Sequence, residues 1–318
     1  MGGKMRWGVA AVLLVATMAL SGCALFQKKR FYTNPVIDDE KTELADPTVL
    51  LHDGVYYLYA TEGSTRQIHV YTSSDLVHWT RGPLVFAPGE KGVWAPDVFF
   101  DPVTRKFYLY YTVNKRIGVA VADRPDGQFE DLKKTFCTNA IDANMVRDDD
   151  GQYYLYYVQL NDFKIHVQRM KSPVEKADEP PVFLFQPTEP WEKAKGSVTE
   201  GPWVIKHKGT FYMLYSGSGA DSPFYSVGYA TAQNPLGPFV KYAGNPIVKG
   251  GNGIFGPGHG CTAVDRKGNL WHVYHQKKSG AIKWDRDICL DPLWFDQDGV
   301  LHGQVSRGTE QPAPQPWR

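Results

Sequence analysis

Short apolar runs alternate with turn residues from about residue 35 onward, and no long stretch carries the three-to-four-residue apolar spacing of a helix. One unit recurs: an acidic or polar head residue, an apolar run, a turn, then an aromatic strand. It occurs as Asp46 to Leu51 with Val55 to Tyr59, and as Asp97 to Phe100 with Phe107 to Tyr111. It returns as Asp142 to Arg147 with Tyr153 to Tyr157, as Glu200 to Ile205 with Phe211 to Tyr215, and as His259 to Val264 with Leu270 to Tyr274. The heads lie 51, 45, 58 and 59 residues apart, and 59 residues follow His259, so five copies fill the chain. In four copies a glycine (Gly54, Gly151, Gly209 or Gly268) falls eight or nine residues after the head, where a hairpin needs positive φ.

A third strand follows in the copies, as in Ile68 to Tyr71, Ile117 to Val121, Ile165 to Gln168 and Ser226 to Ala230. A weaker fourth is visible in Pro83 to Phe86 and Phe239 to Tyr242. Four short strands per unit and five units predict an all-β fold, a five-bladed β-propeller over residues 35–305. Residues 306–318, with three prolines, read as a closing tail. The Gly-His and Trp-Asp signature of the commonest propeller repeat is absent apart from a lone Trp284-Asp285.

The first residues read differently. Lys4 and Arg6 precede an apolar run from Val9 to Leu20, too short to span a bilayer comfortably, which predicts a signal peptide over 1–22. Leu20-Ser21-Gly22-Cys23 resembles a bacterial lipobox, so Cys23 is expected to carry lipid, with 23–34 as a tether and the protein exported and anchored to a membrane. Ala24 after Cys23 fits the outer membrane or cell surface. Cys137, Cys261 and Cys289 remain, an odd number with no zinc-like spacing, and are read as buried small apolar residues, with one disulfide left open.

Hydrophobic residues are 42% and charged residues 22% of the 318, which argues for a globular chain. The net charge of +1 gives no electrostatic reason to expect nucleic acid as a partner.

In a propeller the first strand of each blade lines the central channel. The heads Asp46, Asp97, Asp142, Glu200 and His259 are therefore expected at one level around one axis. Carboxylates gathered there raise one another's pKa, and a core built only for stability would be apolar. Two carboxyl groups across a cleft are the chemistry of glycoside hydrolysis: one protonates the leaving oxygen, and the other activates water or attacks carbon.

Asp46 in Leu44-Ala45-Asp46-Pro47, Asp142 in Ile141-Asp142-Ala143-Asn144 and Glu200 in Thr199-Glu200-Gly201-Pro202 resemble glycoside hydrolase family 43. Trp94-Ala95-Pro96-Asp97, Gly256-Pro257-Gly258-His259-Gly260 and Arg286 ahead of Leu290-Asp291-Pro292-Leu293 extend the resemblance over about residues 35–303. It implies an inverting, five-bladed enzyme acting on arabinofuranosyl or xylosyl linkages of plant polysaccharide. By position, Asp46 resembles the general base, Glu200 the general acid, and Asp142 the residue that raises and orients the acid. Such inverting pairs stand roughly 6.5–9.5 Å apart. Trp94, Asp97 and Arg286 are implied in substrate binding, with Asp97 supporting the Trp94 loop or an axial ion. His259 is implied beside a calcium ion held mainly through water, although a neutral, hydrogen-bonded imidazole serves equally well. Ala143 stands where several members carry proline.

Other readings stay open. An endo-arabinanase would share every one of these motifs. A related five-bladed hydrolase of fructans or anhydrogalactose is another reading, although the Asn-Asp-Pro-Asn, Arg-Asp-Pro and Glu-Cys signatures of the fructan enzymes are absent here. A non-catalytic, lipid-anchored sugar-binding propeller would not need all three carboxylates.

Overall fold

Four of the five aromatic runs fold back on the apolar run before them through a glycine in the left-handed backbone that a tight hairpin demands, and the second copy turns instead at Arg105, with φ 56°. The φ values are 75° at Gly54, 87° at Gly151, 83° at Gly209 and 81° at Gly268. The computed structural model describes residues 30–317 apart from 39–42, 64, 66 and 91. The leader over 1–22, Cys23 and most of the tether lie outside the described residues.

Five antiparallel sheets form the five blades of a β-propeller. Blade 1 comprises Leu44–His52, Val55–Glu62, Ile68–Ser73 and Thr80–Phe86. Blade 2 comprises Trp94–Asp101, Lys106–Val113, Arg116–Ala122 and Glu130–Thr138. Blade 3 has Ala140–Arg147, Tyr153–Gln159 and Lys164–Ser172, and its outer edge is split between Glu175–Lys176 and Val182–Phe185. Pro180-Pro181 lies in that gap, where proline can donate nothing to a ladder. Blade 4 is Thr199–His207, Thr210–Gly217, Ser226–Ala232 and Val240–Lys241, and blade 5 is Phe255–Val264, Leu270–Lys277, Arg286–Phe295 and Leu301–Gly303.

The second strands explain the aromatic richness. Tyr59, Tyr110 and Tyr156 are fully buried, and each hydroxyl reaches into the next blade. They donate to the carbonyls of Pro125 (2.5 Å), Pro173 (2.6 Å) and Pro235 (2.8 Å), each just after that blade's third strand. Burying a whole ring while satisfying its one polar atom locks blade to blade. Cys137, Cys261 and Cys289 are buried and free, so no disulfide joins them.

Two expectations need correcting. The tether expected to reach residue 34 ends earlier, because Phe31–Thr33 pairs with Glu310–Pro312 of the tail. Asn34 is buried, donating to the Leu290 carbonyl at 2.7 Å and accepting from the Leu290 amide at 2.8 Å. The segment thus belongs to the fold, and the tail closes over it, with the Trp317 indole donating to the Tyr56 hydroxyl at 2.8 Å.

The second correction concerns the heads, which do not share one level. Every inner strand carries a bulge near its start, and the residue on the bulge has positive φ: Asp46 51°, Ala95 42°, Asp142 58°, Gly201 58° and His259 37°. Asp97 lies two residues beyond its bulge, opposite Tyr110, where blades 1 and 3 place Thr48 and Asn144. Glu200 lies one residue before its bulge, level with Trp94.

Candidate active site

The bulges aim the functional side chains. A bulge bends its strand and redirects one residue, and positive φ on a non-glycine residue is strain the surroundings must hold. Here the surroundings are a ring of hydrogen bonds between successive blades. The Ala95 amide donates to Thr61 Oγ1 at 2.8 Å, that of Asp142 to Thr112 Oγ1 at 3.1 Å, and that of His259 to Ser216 Oγ at 2.8 Å. The Asp46 amide donates to His275 Nδ1 at 3.2 Å and closes the circle from blade 5 to blade 1. Blade 3 offers Val158 at that register, so the Gly201 amide donates to Asp142 Oδ2 instead, at 3.0 Å. Only glycine fits at 201: a Cβ would lie 2.9 Å from His259 Cδ2.

Asp46, Asp142 and Glu200 converge on the axis, all buried. Asp46 accepts from Thr61 Oγ1 at 2.8 Å on one oxygen and from Arg286 Nη1 at 3.2 Å on the other. Burial alone would push its pKa up, but the Arg286 guanidinium holds it well below the usual carboxylate range. Arg286 is fixed by Glu43, whose Oε1 lies 2.6 Å from its Nε. Glu200 accepts from the Tyr225 hydroxyl at 2.7 Å. Burial pushes Glu200 up to about 7; the Tyr225 bond opposes this and the Asp46 charge adds to it. Asp142 is raised as well, by burial and then by the charges of Glu200 and Asp46. Two neighbouring carboxyls that both resist ionisation keep a proton on the pair at neutral pH, while Asp46 stays charged. Environments that separate carboxyl pKa values in this way assign acid and base roles.

His259 stands between the two aspartates, its Nδ1 3.3 Å from Asp46 Oδ1 and 3.9 Å from Asp142 Oδ2. Burial lowers its pKa, so it is a neutral imidazole near pH 7. His275 is pushed down to about 4 by burial. Neutral, it accepts the Asp46 amide at Nδ1, so its 3.3 Å approach to Asp46 Oδ1 is proximity rather than a hydrogen bond.

Trp94 is 42% exposed beside the bulge of blade 2. Asp97 is instead buried deeper in the channel, taking the Met145 amide at 2.8 Å, Thr48 Oγ1 at 3.3 Å and Asn144 Nδ2 at 3.4 Å. It joins the inner strands of blades 1, 2 and 3 rather than supporting the Trp94 loop, and burial raises it to about 6. A small axial cavity of about 20 Å³ lies among Asp46, Asp97, Asp142 and His259. Calcium takes six to eight oxygen ligands. Among the described residues no three His, Cys, Asp or Glu side chains are grouped to hold a metal. A calcium held mainly through water, with His259 beside it, would need no such cage.

The sequence reading missed Glu43, Thr61, Thr112, Ser216, Tyr225 and His275. Four of them had a visible signal: Thr61, Thr112, Ser216 and His275 are polar residues closing the aromatic second strands.

The family profile "Glycosyl hydrolases family 43" matches residues 32–301. The chain is 25% identical to a β-D-galactofuranosidase of Aspergillus niger, covering 81% of each chain. It is also 25% identical to a xylosidase/arabinosidase of Bacteroides ovatus, over 81% of this chain and 94% of that one. A thermostable family-43 glycoside hydrolase of known crystal structure superposes with a TM-score of 0.83 at 36% identity, covering 89% of this chain and 99% of the other.

Proposed function

This chain belongs to glycosyl hydrolases family 43, and from that premise we propose that it is an inverting, exo-acting glycosidase releasing α-L-arabinofuranosyl or β-D-xylopyranosyl residues from plant-type glycans. One observation carries the reading. Asp46 is held ionised by Arg286 at 3.2 Å, whereas burial keeps a proton on Glu200 up to about pH 7. A pure binding site has no use for that division.

In this reading Asp46 takes a proton from a water whose oxygen bonds to the anomeric carbon. Glu200 passes its proton to the glycosidic oxygen as the carbon–oxygen bond breaks. Asp46 ends protonated and Glu200 ionised, and exchange with solvent restores both. Asp142 accepts the Gly201 amide, orienting the backbone next to Glu200, and its own reluctance to ionise helps retain the shared proton. Trp94 offers a stacking face. The relatives' names support a sugar of the furanose or xylose type. Export and lipidation at Cys23 are part of the same proposal, resting on the lipobox alone, and place the enzyme where glycans arrive from outside.

The test is turnover of chromogenic α-L-arabinofuranoside and β-D-xylopyranoside, beside arabinan and arabinoxylan, by the wild type and Glu200→Gln. Release of one monosaccharide by the wild type alone supports the reading. Oligosaccharides from arabinan would replace exo with endo action, and no turnover on any substrate would contradict it.

A further inference from the structure

The lone Trp284-Asp285 pair is no propeller-repeat signature, yet it is held by an expensive arrangement. Lys277, at the end of a blade 5 strand, is completely buried, with relative exposure 0%. Its Nζ lies 2.6 Å from Asp285 Oδ1 and also bonds the Lys283 carbonyl. Ser279 Oγ donates to Asp285 Oδ2 at 2.8 Å, and the Lys278 amide to the Asp285 carbonyl at 2.6 Å. A buried ammonium is costly unless fully paired, so this loop has a specified shape.

What the loop presents is Trp284, 60% exposed, against the active site. The Arg286 guanidinium lies 4.8 Å from its ring centroid, and the same guanidinium holds Asp46. The preceding residue anchors the loop to the other side of the site: the Lys283 amide donates to the Asp221 carbonyl at 3.0 Å, in the segment leading to Tyr225, whose hydroxyl bonds Glu200. A large apolar ring is thus fixed at the rim between the groups that hold the base and those that hold the acid. Rings so placed, with a face left to water, suit the apolar C–H face of a sugar.

We propose that Trp284 is a second aromatic platform, which holds a sugar ring of the glycan chain adjoining the residue that is cleaved. This rests on the hydrolase reading and deepens it: the substrate is an oligosaccharide or polymer chain, and the Lys277–Asp285 pair positions the platform. The buried pair explains why the loop spends a lysine on its own carboxylate rather than leaving Trp284 on a free strand.

The experiment compares Trp284→Ala and Trp284→Phe with the wild type on an aryl monoglycoside and on oligosaccharides of three to six sugars. The aryl substrate reports any damage transmitted through Arg286 or the fold. The expected result is a kcat/KM on oligosaccharides lowered about tenfold more than on the aryl glycoside, mainly through KM, with Phe restoring part of it. An equal fall on both substrates, or none on either, overturns the platform while leaving the hydrolase reading intact. No hydrolysis by the wild type overturns the hydrolase reading and the platform with it.

Discussion

The Tyr225 hydroxyl donates to Glu200 Oε1 at 2.7 Å, and its ring lies parallel to that of His275, 5.6 Å away. His275 in turn accepts the Asp46 amide. Proposed acid and proposed base are therefore joined through two stacked rings.

A hydroxyl donating to a carboxylate favours the charged form. Tyr225→Phe should therefore raise the Glu200 pKa further above about 7 and move the basic limb of the pH–rate profile upward by roughly one unit, since such a bond contributes about 1.5 kcal/mol or more. A pH series of kcat/KM for the variant checks this; a downward or absent shift counts against the bond.

Arg286 acts on the opposite limb. Arg286→Met leaves Asp46 and Glu43 without their cation, so the Asp46 pKa should rise toward and above the ordinary carboxylate value of about 3.9. Activity should fall by about 100-fold or more and the acid limb should move to higher pH. Steady-state rates between pH 3 and 7 read both effects.

Glu200 also links stability to pH. Its pKa in the fold is raised from 4.5 to about 7, so the associated stability is complete below the unfolded value and is lost as pH rises through about 7. Glutamine has no such loss. Glu200→Gln should melt close to the wild type at pH 4 and several degrees above it at pH 8, a difference on the order of 3 kcal/mol. Calorimetric melts at the two pH values decide it.

His275→Phe keeps a flat ring under Tyr225 but removes the acceptor of the Asp46 amide. A buried, unpaired N–H costs about 1–3 kcal/mol. The melting temperature should fall by several degrees, and kcat more than KM, because the bulge that aims Asp46 loosens. A variant with wild-type kcat would show that the amide bond does not position the base.

Much of this was legible in the chain. The five copies and their hairpin glycines gave the blades, and Asp46, Asp142, Glu200, His259 and Arg286 do meet on the axis. Alignment of the copies by their acids misplaced Asp97, because the bulge follows the Ala-Asp-Pro, Trp-Ala-Pro and Glu-Gly-Pro backbone around Pro47, Pro96 and Pro202. A bulge is a backbone event, and side-chain type is a poor guide to its register. Tyr225 and Glu43 lie in connecting segments outside the repeat, so no periodicity could assign them. Asn34 was hidden for the same reason: its partners, Leu290 and Ser306, lie more than 250 residues away.

The division of protonation between Asp46 and Glu200 is most directly tested by the pH dependence of kcat/KM on two substrates, one with a good leaving group and one with a poor one. For the wild type a basic limb near pH 7 is expected on the poor leaving group. Glu200→Gln should abolish that limb and most of the rate there, while retaining far more rate on the good leaving group, which needs no proton. An unchanged basic limb in Glu200→Gln, or equal losses on both substrates, would contradict Glu200 as the acid and the account built on it.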